Sequence, residues 1–135
     1  MQPEMYSKLQ HLAFIQSVIA RLSSNSFLLK GWIATLVSAI FALGVKDANK
    51  QFILLAYFPI ITFWLLNGYF LSQERRFRAL YDQVRALPPD KIDFSMDTEQ
   101  FNVDSNRMER AFFSKVLVIF YVPLAVAVLI VWFVI

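Results

Sequence analysis

The chain lacks cysteine altogether, and its 135 residues include three glycines and a single histidine, His11. No cysteine means no disulfide framework and no thiolate metal site. One imidazole without partners makes no metal centre, and so few glycines cannot build a phosphate-cradling loop. The carboxylates between residues 90 and 104 lack the D-x-[DN]-x-[DN]-G core of a Ca²⁺ loop. No nucleophile-and-base set is present either. The expected class is therefore a non-enzyme without a cofactor.

Charge is also missing, but only locally. Phe27 to Val45 holds one charged residue, Lys30, near its start; Phe52 to Leu71 holds none; Phe112 to Ile135 holds only Lys115, with an unbroken apolar run from Val116. A hydrocarbon core of about 30 Å takes about 20 helical residues at 1.5 Å each, and each segment meets or approaches that length. A soluble bundle would need polar faces that the second and third segments do not have. The predicted fold is all-α: an integral membrane protein with three transmembrane helices, an N-terminal amphipathic helix and a cytoplasmic extension of the second span. Four regions follow: residues 1–26, a hairpin at 27–71, a cytoplasmic helix and acidic loop at 72–111, and a third span at 112–135.

The net charge of +3 would suit nucleic acid only if it formed one face, yet the charges flank the apolar segments, so a duplex partner is not expected. Of 13 Lys and Arg, only Lys46 and Lys50 lie in the hairpin turn "KDANKQ"; the other 11 fall on the opposite side. The positive-inside rule then predicts a multi-pass membrane protein with N-terminus and central region cytoplasmic and C-terminus at the far face. No cleavable signal peptide is expected, since the first apolar run starts late and lacks an A-x-A-like site. Because the last run reaches "VWFVI", no folded part is expected beyond it.

On the cytoplasmic side, Leu9, Leu12, Ile15, Ile19 and Leu22 recur at helical spacing, with Lys8, His11, Ser17 and Arg21 largely elsewhere on the wheel. The predicted helix stops at "SSNS", Ser23 to Ser26, which supplies N-cap candidates for the first span. His11 is expected to be solvated or capping. A stripe of Phe63, Leu66, Phe70, Phe77, Leu80, Tyr81, Val84 and Leu87 predicts one helix from the hairpin to about Leu87, ended by Pro88 and Pro89. Past Ser72 it would project about 24 Å. Ile92, Phe94 and Met96 alternate with polar neighbours, suggesting an extended segment in need of a partner. Ser105 or Asn106 is expected to cap the helix of the third span.

Two groups of residues carry the functional expectations. Arg75, Arg76 and Arg78 in "ERRFR" fix topology and are candidates for contact with anionic lipid headgroups or another phosphorylated ligand. Glu74 and Asp82 pair with part of this charge, leaving Arg75 and Arg76 without a partner in the helix. Gly31, Ala34, Ser38 and Ala42 put small residues on one side of the first span, and Asn67 offers an amide near the cytoplasmic end of the second; these are the candidates for helix packing or oligomerisation. Pro59 and Pro123 are candidate kinks. No ionisable group lies near the middle of a span, so a carrier mechanism is disfavoured.

The amphipathic start, the tight hairpin "NSFLLKGWIATLVSAIFALGVKDANKQFILLAYFPIITFWLLNGYFL" and the charged continuation "SQERRFRALYDQVR" resemble the SLATT-type membrane effectors of bacterial antiphage systems. The likeness covers roughly residues 1–87 and rests on layout; the third span departs from the two-helix pattern, and no functional residue is carried over. It implies an oligomeric, pore-type protein of the lipid bilayer, triggered by a cytoplasmic partner or signal. Two alternatives stand beside it: a non-conducting anchor or scaffold that recruits a cytoplasmic partner, and a holin-like protein.

Overall fold

The computed structural model describes residues 2–135, all of whose regular elements are helical. The 44-residue helix α1 (Pro3–Lys46) is followed by the short α2 (Lys50–Leu54) and the 30-residue α3 (Tyr57–Ala86); a loop with three 3₁₀ turns leads to α4 (Met108–Phe112) and then α5 (Lys115–Val134). Three helical stretches, Pro3–Lys46, Lys50–Ala86 and Lys115–Val134, are long and apolar enough to cross a membrane.

Helix α1 does not stop at Ser23 to Ser26, contrary to the expectation that these serines end one helix and cap the next. A cap needs non-helical backbone, and packing on both sides of the serines opposes it. Leu12, Ile19, Ser26 and Ile33 repeat every seven residues. Leu12, Ile15 and Ile19 pack with Leu80 and Val84, while Ile33 and Val37 pack with Ile60. One register against antiparallel α3 therefore runs from Leu12 to Val37, about 38 Å of α1.

The hairpin turn runs through Ala48, which takes a positive φ of 51°, to Asn49, whose side chain accepts from the Phe52 amide at 3.1 Å. The break between α2 and α3 follows from Pro59: it offers no N–H to the Leu55 carbonyl, which instead accepts from Phe58 at 3.2 Å. Pro123 lies inside α5, which continues through it.

Two cores result. In the apolar half, Ile33, Val37, Ile53, Ala56, Ile60, Leu117, Tyr121 and Val128 join α1, α2, α3 and α5; Tyr57 Oη donates to the Ala125 carbonyl at 2.9 Å, and the Lys50 ammonium sits 5.1 Å from the centre of the Trp132 ring. Large apolar side chains cover the outside of this half, with Phe27, Phe58, Phe133 and Val134 all more than 70% exposed. In the other half α1 and α3 form a two-helix stalk, and Ile92 of the loop closes its core over Leu12, Ile15, Leu80 and Val84.

The loop explains itself locally. Asp93 Oδ1 accepts from the Ser95 amide, Ser95 Oγ from Asp97, and Asp97 Oδ1 from Glu99, at 3.1, 3.1 and 3.0 Å. Alternate side chains thus take the amides that a neighbouring strand would have taken, so the alternating segment forms no strand. Neither Ser105 nor Asn106 caps a helix; both lie in or beside the 3₁₀ turn Asp104–Asn106. Ser114 is the residue that caps α5, its Oγ accepting from Leu117 at 3.4 Å.

Candidate functional site

At the base of the stalk, where the apolar runs begin, α1, α3 and α5 meet around buried polar groups. Lys30 Nζ donates to Ser26 Oγ at 3.2 Å, and Ser26 Oγ donates to Asn67 Oδ1 at 2.6 Å. The Asn67 amide nitrogen donates to Tyr121 Oη, which reaches the Phe63 carbonyl at 3.3 Å. Asn67 and Tyr121 are fully buried, so each needs these partners. Trp64 extends the junction: its Nε1 donates to the Phe112 carbonyl at 2.8 Å, and its ring stacks on Phe112 at 4.4 Å between centroids. Gly68 allows that approach, since a Cβ there would lie 3.2 Å from Phe112 Cα.

The arginines hold the loop against α3. Arg75 donates to the Ser105 carbonyl at 2.7 Å. Arg76, its side chain 13% exposed, reaches the Thr98 carbonyl at 3.2 Å and Glu99 Oε2 at 3.1 Å. Arg78 pairs with Glu74 at 3.1 Å, and Ser72 Oγ donates to the Asn106 carbonyl at 2.5 Å. The partners that Arg75 and Arg76 lack within α3 come from the acidic loop, a pairing that helical spacing does not reveal.

The small-residue side of α1 lies apart from the junction. Gly31, Ser38 and Ala42 are exposed and Ala34 is partly so, and a Cβ on Gly31 would meet nothing within 4 Å. The close approach inside the hairpin falls instead at Gly44, where an added Cβ would run into the Ile53 side chain. Residues of α3 shift similarly: Leu66 of the predicted stripe is exposed, while the buried line runs through Ile60, Asn67, Gly68 and Ser72.

A cavity of about 400 Å³ opens beside the network, lined by residues of all three long helices, including Ser23, Ser26, Lys30 and Glu74. A second, of about 610 Å³, lies far up the stalk between α1 and the loop, against His11, Phe14, Phe94 and Met96. His11 is buried, not solvated or capping: it sits beside Leu12 and Ile15, with Phe94 edge-on to its ring at 5.5 Å, and its Nε2 has no hydrogen-bond partner. Leu9, assigned to the inner stripe, is exposed instead. Among the described residues no three His, Cys, Asp or Glu side chains come together as a metal site.

The chain matches no protein-family model, no curated protein and no solved structure. The three long apolar helices define it as an all-helical chain of multi-pass membrane type.

Proposed function

We propose that this is a three-span protein of a bacterial inner membrane, stalk in the cytoplasm, that acts as an oligomeric membrane-perturbing effector of a phage-defence system. One observation carries the reading: α1 and α3 pass without a break from the stalk into the apolar half, so an event on the stalk is transmitted mechanically to the spans. The unfilled side of α1 at Gly31, Ser38 and Ala42 supports close contact with a second copy. The acidic loop strapped to Arg75 and Arg76 is the element that an activating partner or signal would displace. Arg78 is paired with Glu74 but 60% exposed, and so is open to anionic headgroups, whereas Arg76 is covered and engaged by Thr98 and Glu99.

Expression with and without the genomic neighbours, while membrane potential is followed, tests this reading; absence of depolarisation under every activating condition would exclude an effector. A second reading, a non-conducting anchor for a cytoplasmic protein, is favoured by the exposed apolar side chains Tyr6, Phe14, Phe94 and Met96 on the stalk. The cysteine-free chain makes the two separable. With Ser38→Cys, disulfide-linked homo-oligomers in native membranes support the effector, and a defined hetero-complex supports the anchor.

A further inference from the structure

We propose that the cavity at the base of the stalk binds the headgroup of a phospholipid carrying both a phosphate and a protonated amine, as in phosphatidylethanolamine, from the stalk-side leaflet. The inference rests on the reading of the three long helices as membrane spans. Position comes first: the apolar runs begin or end at Phe27, Leu71 and Val116, and all three residues line this cavity. That places its mouth at the boundary between hydrocarbon and headgroups, with apolar walls for the acyl chains.

Charge selects the headgroup. Lys30 and Glu74 line the same cavity, yet neither pairs with the other; the ion pairs among the described residues are Arg76 with Glu99, Arg78 with Glu74, and Arg85 with Asp82. The Lys30 ammonium donates to Ser26 Oγ and has further N–H bonds to give, suited to a phosphate oxygen, with the Ser23 hydroxyl on the same wall. Glu74 Oε1 accepts from Arg78, and Oε2 has no partner among the described residues. A carboxylate with a free oxygen repels an anionic glycerol headgroup, accepts N–H from a primary ammonium, and finds no donor in a quaternary one. A cation and an anion on the two sides of one interfacial cavity therefore match a zwitterion with N–H donors better than either alternative.

The full-length chain is reconstituted in vesicles of equal parts phosphatidylethanolamine, phosphatidylcholine and phosphatidylglycerol and extracted into mild detergent. Retained lipids are then counted by native mass spectrometry. Phosphatidylethanolamine is expected to exceed each of the others by about fivefold, the ratio that one partly exposed charge pair contributes. Glu74→Gln should remove the preference over phosphatidylglycerol, and Lys30→Met should lower retention of all three lipids, since each carries the phosphate that Lys30 would hold. Equal retention, an excess of phosphatidylglycerol, or a preference unchanged in both variants overturns the proposal. The wild-type ratio alone decides if a variant does not fold. A chain that floats with the vesicles but shows no preference overturns only the headgroup site; one that fails to associate with them overturns the membrane reading as well.

Discussion

Ser26 of α1 and Asn67 of α3 face each other across the helix pair, with Ser26 Oγ donating to Asn67 Oδ1 at 2.6 Å and Asn67 passing the contact on to Tyr121 of α5. They occupy heptad positions that Ile19 and Ile33 fill on one helix and Ile60 on the other. A polar pair at such a place fixes register, because any slip leaves both groups without partners. Tyr121→Phe strands the Asn67 amide and should cost about 1–2 kcal/mol. Asn67→Ala should cost more, since it also opens a cavity and frees Ser26 and Tyr121. Thermal unfolding in detergent of both single variants and the double measures the coupling, expected to be non-additive.

Gly68 and Gly31 should respond in opposite ways. Alanine at Gly68 puts its Cβ 3.2 Å from Phe112 Cα and 3.3 Å from Phe112 Cβ, against main chain that cannot move aside cheaply. A loss of about 1–3 kcal/mol is expected, read as a lower midpoint of unfolding. Gly31→Ala meets nothing within 4 Å and should stabilise the helix by up to about 1 kcal/mol. If the exposed side of α1 is where copies meet, the same change also weakens cross-linking through Ser38→Cys.

The loop should come loose at Arg76 well before Glu99. The Arg76 side chain is 13% exposed and binds both Thr98 and Glu99, whereas Glu99 is 75% exposed. Glu99→Gln should change stability by less than about 1 kcal/mol. Arg76→Met should instead raise amide exchange and proteolytic cutting across residues 92–106, as hydrogen–deuterium exchange can measure peptide by peptide.

His11→Leu should be neutral or stabilising. The ring is buried with Nε2 unpartnered, so an apolar side chain of similar size removes a desolvated polar atom from the stalk core. A large fall in the midpoint of thermal unfolding would show that His11 has a partner in solution.

The three long apolar helices and the continuation of α3 to Ala86 were readable in the sequence because apolar length and periodicity are long signals. The joint at Ser23 to Ser26 was not, because serines that look like caps from one helix become partners once Asn67 stands opposite. Inside and outside were also misassigned in part. On helices long and apolar enough to cross a membrane, with Phe58 and Phe133 exposed, hydrophobicity does not mark the buried face; Asn67, Gly68 and Ser72 do. The arginine partners lie 22 to 30 positions away along the chain, beyond any helical repeat.

The side of the membrane that each end of the bundle faces is tested most directly by labelling single cysteines in intact cells with a membrane-impermeant maleimide, starting from the cysteine-free chain. Gln16→Cys lies on the exposed side of the stalk and Gln51→Cys on the hairpin at the other end. Three spans with a cytoplasmic stalk require that Gln51→Cys labels from outside and Gln16→Cys only after lysis. Labelling of Gln16→Cys in intact cells, or of neither position until lysis, would contradict that arrangement.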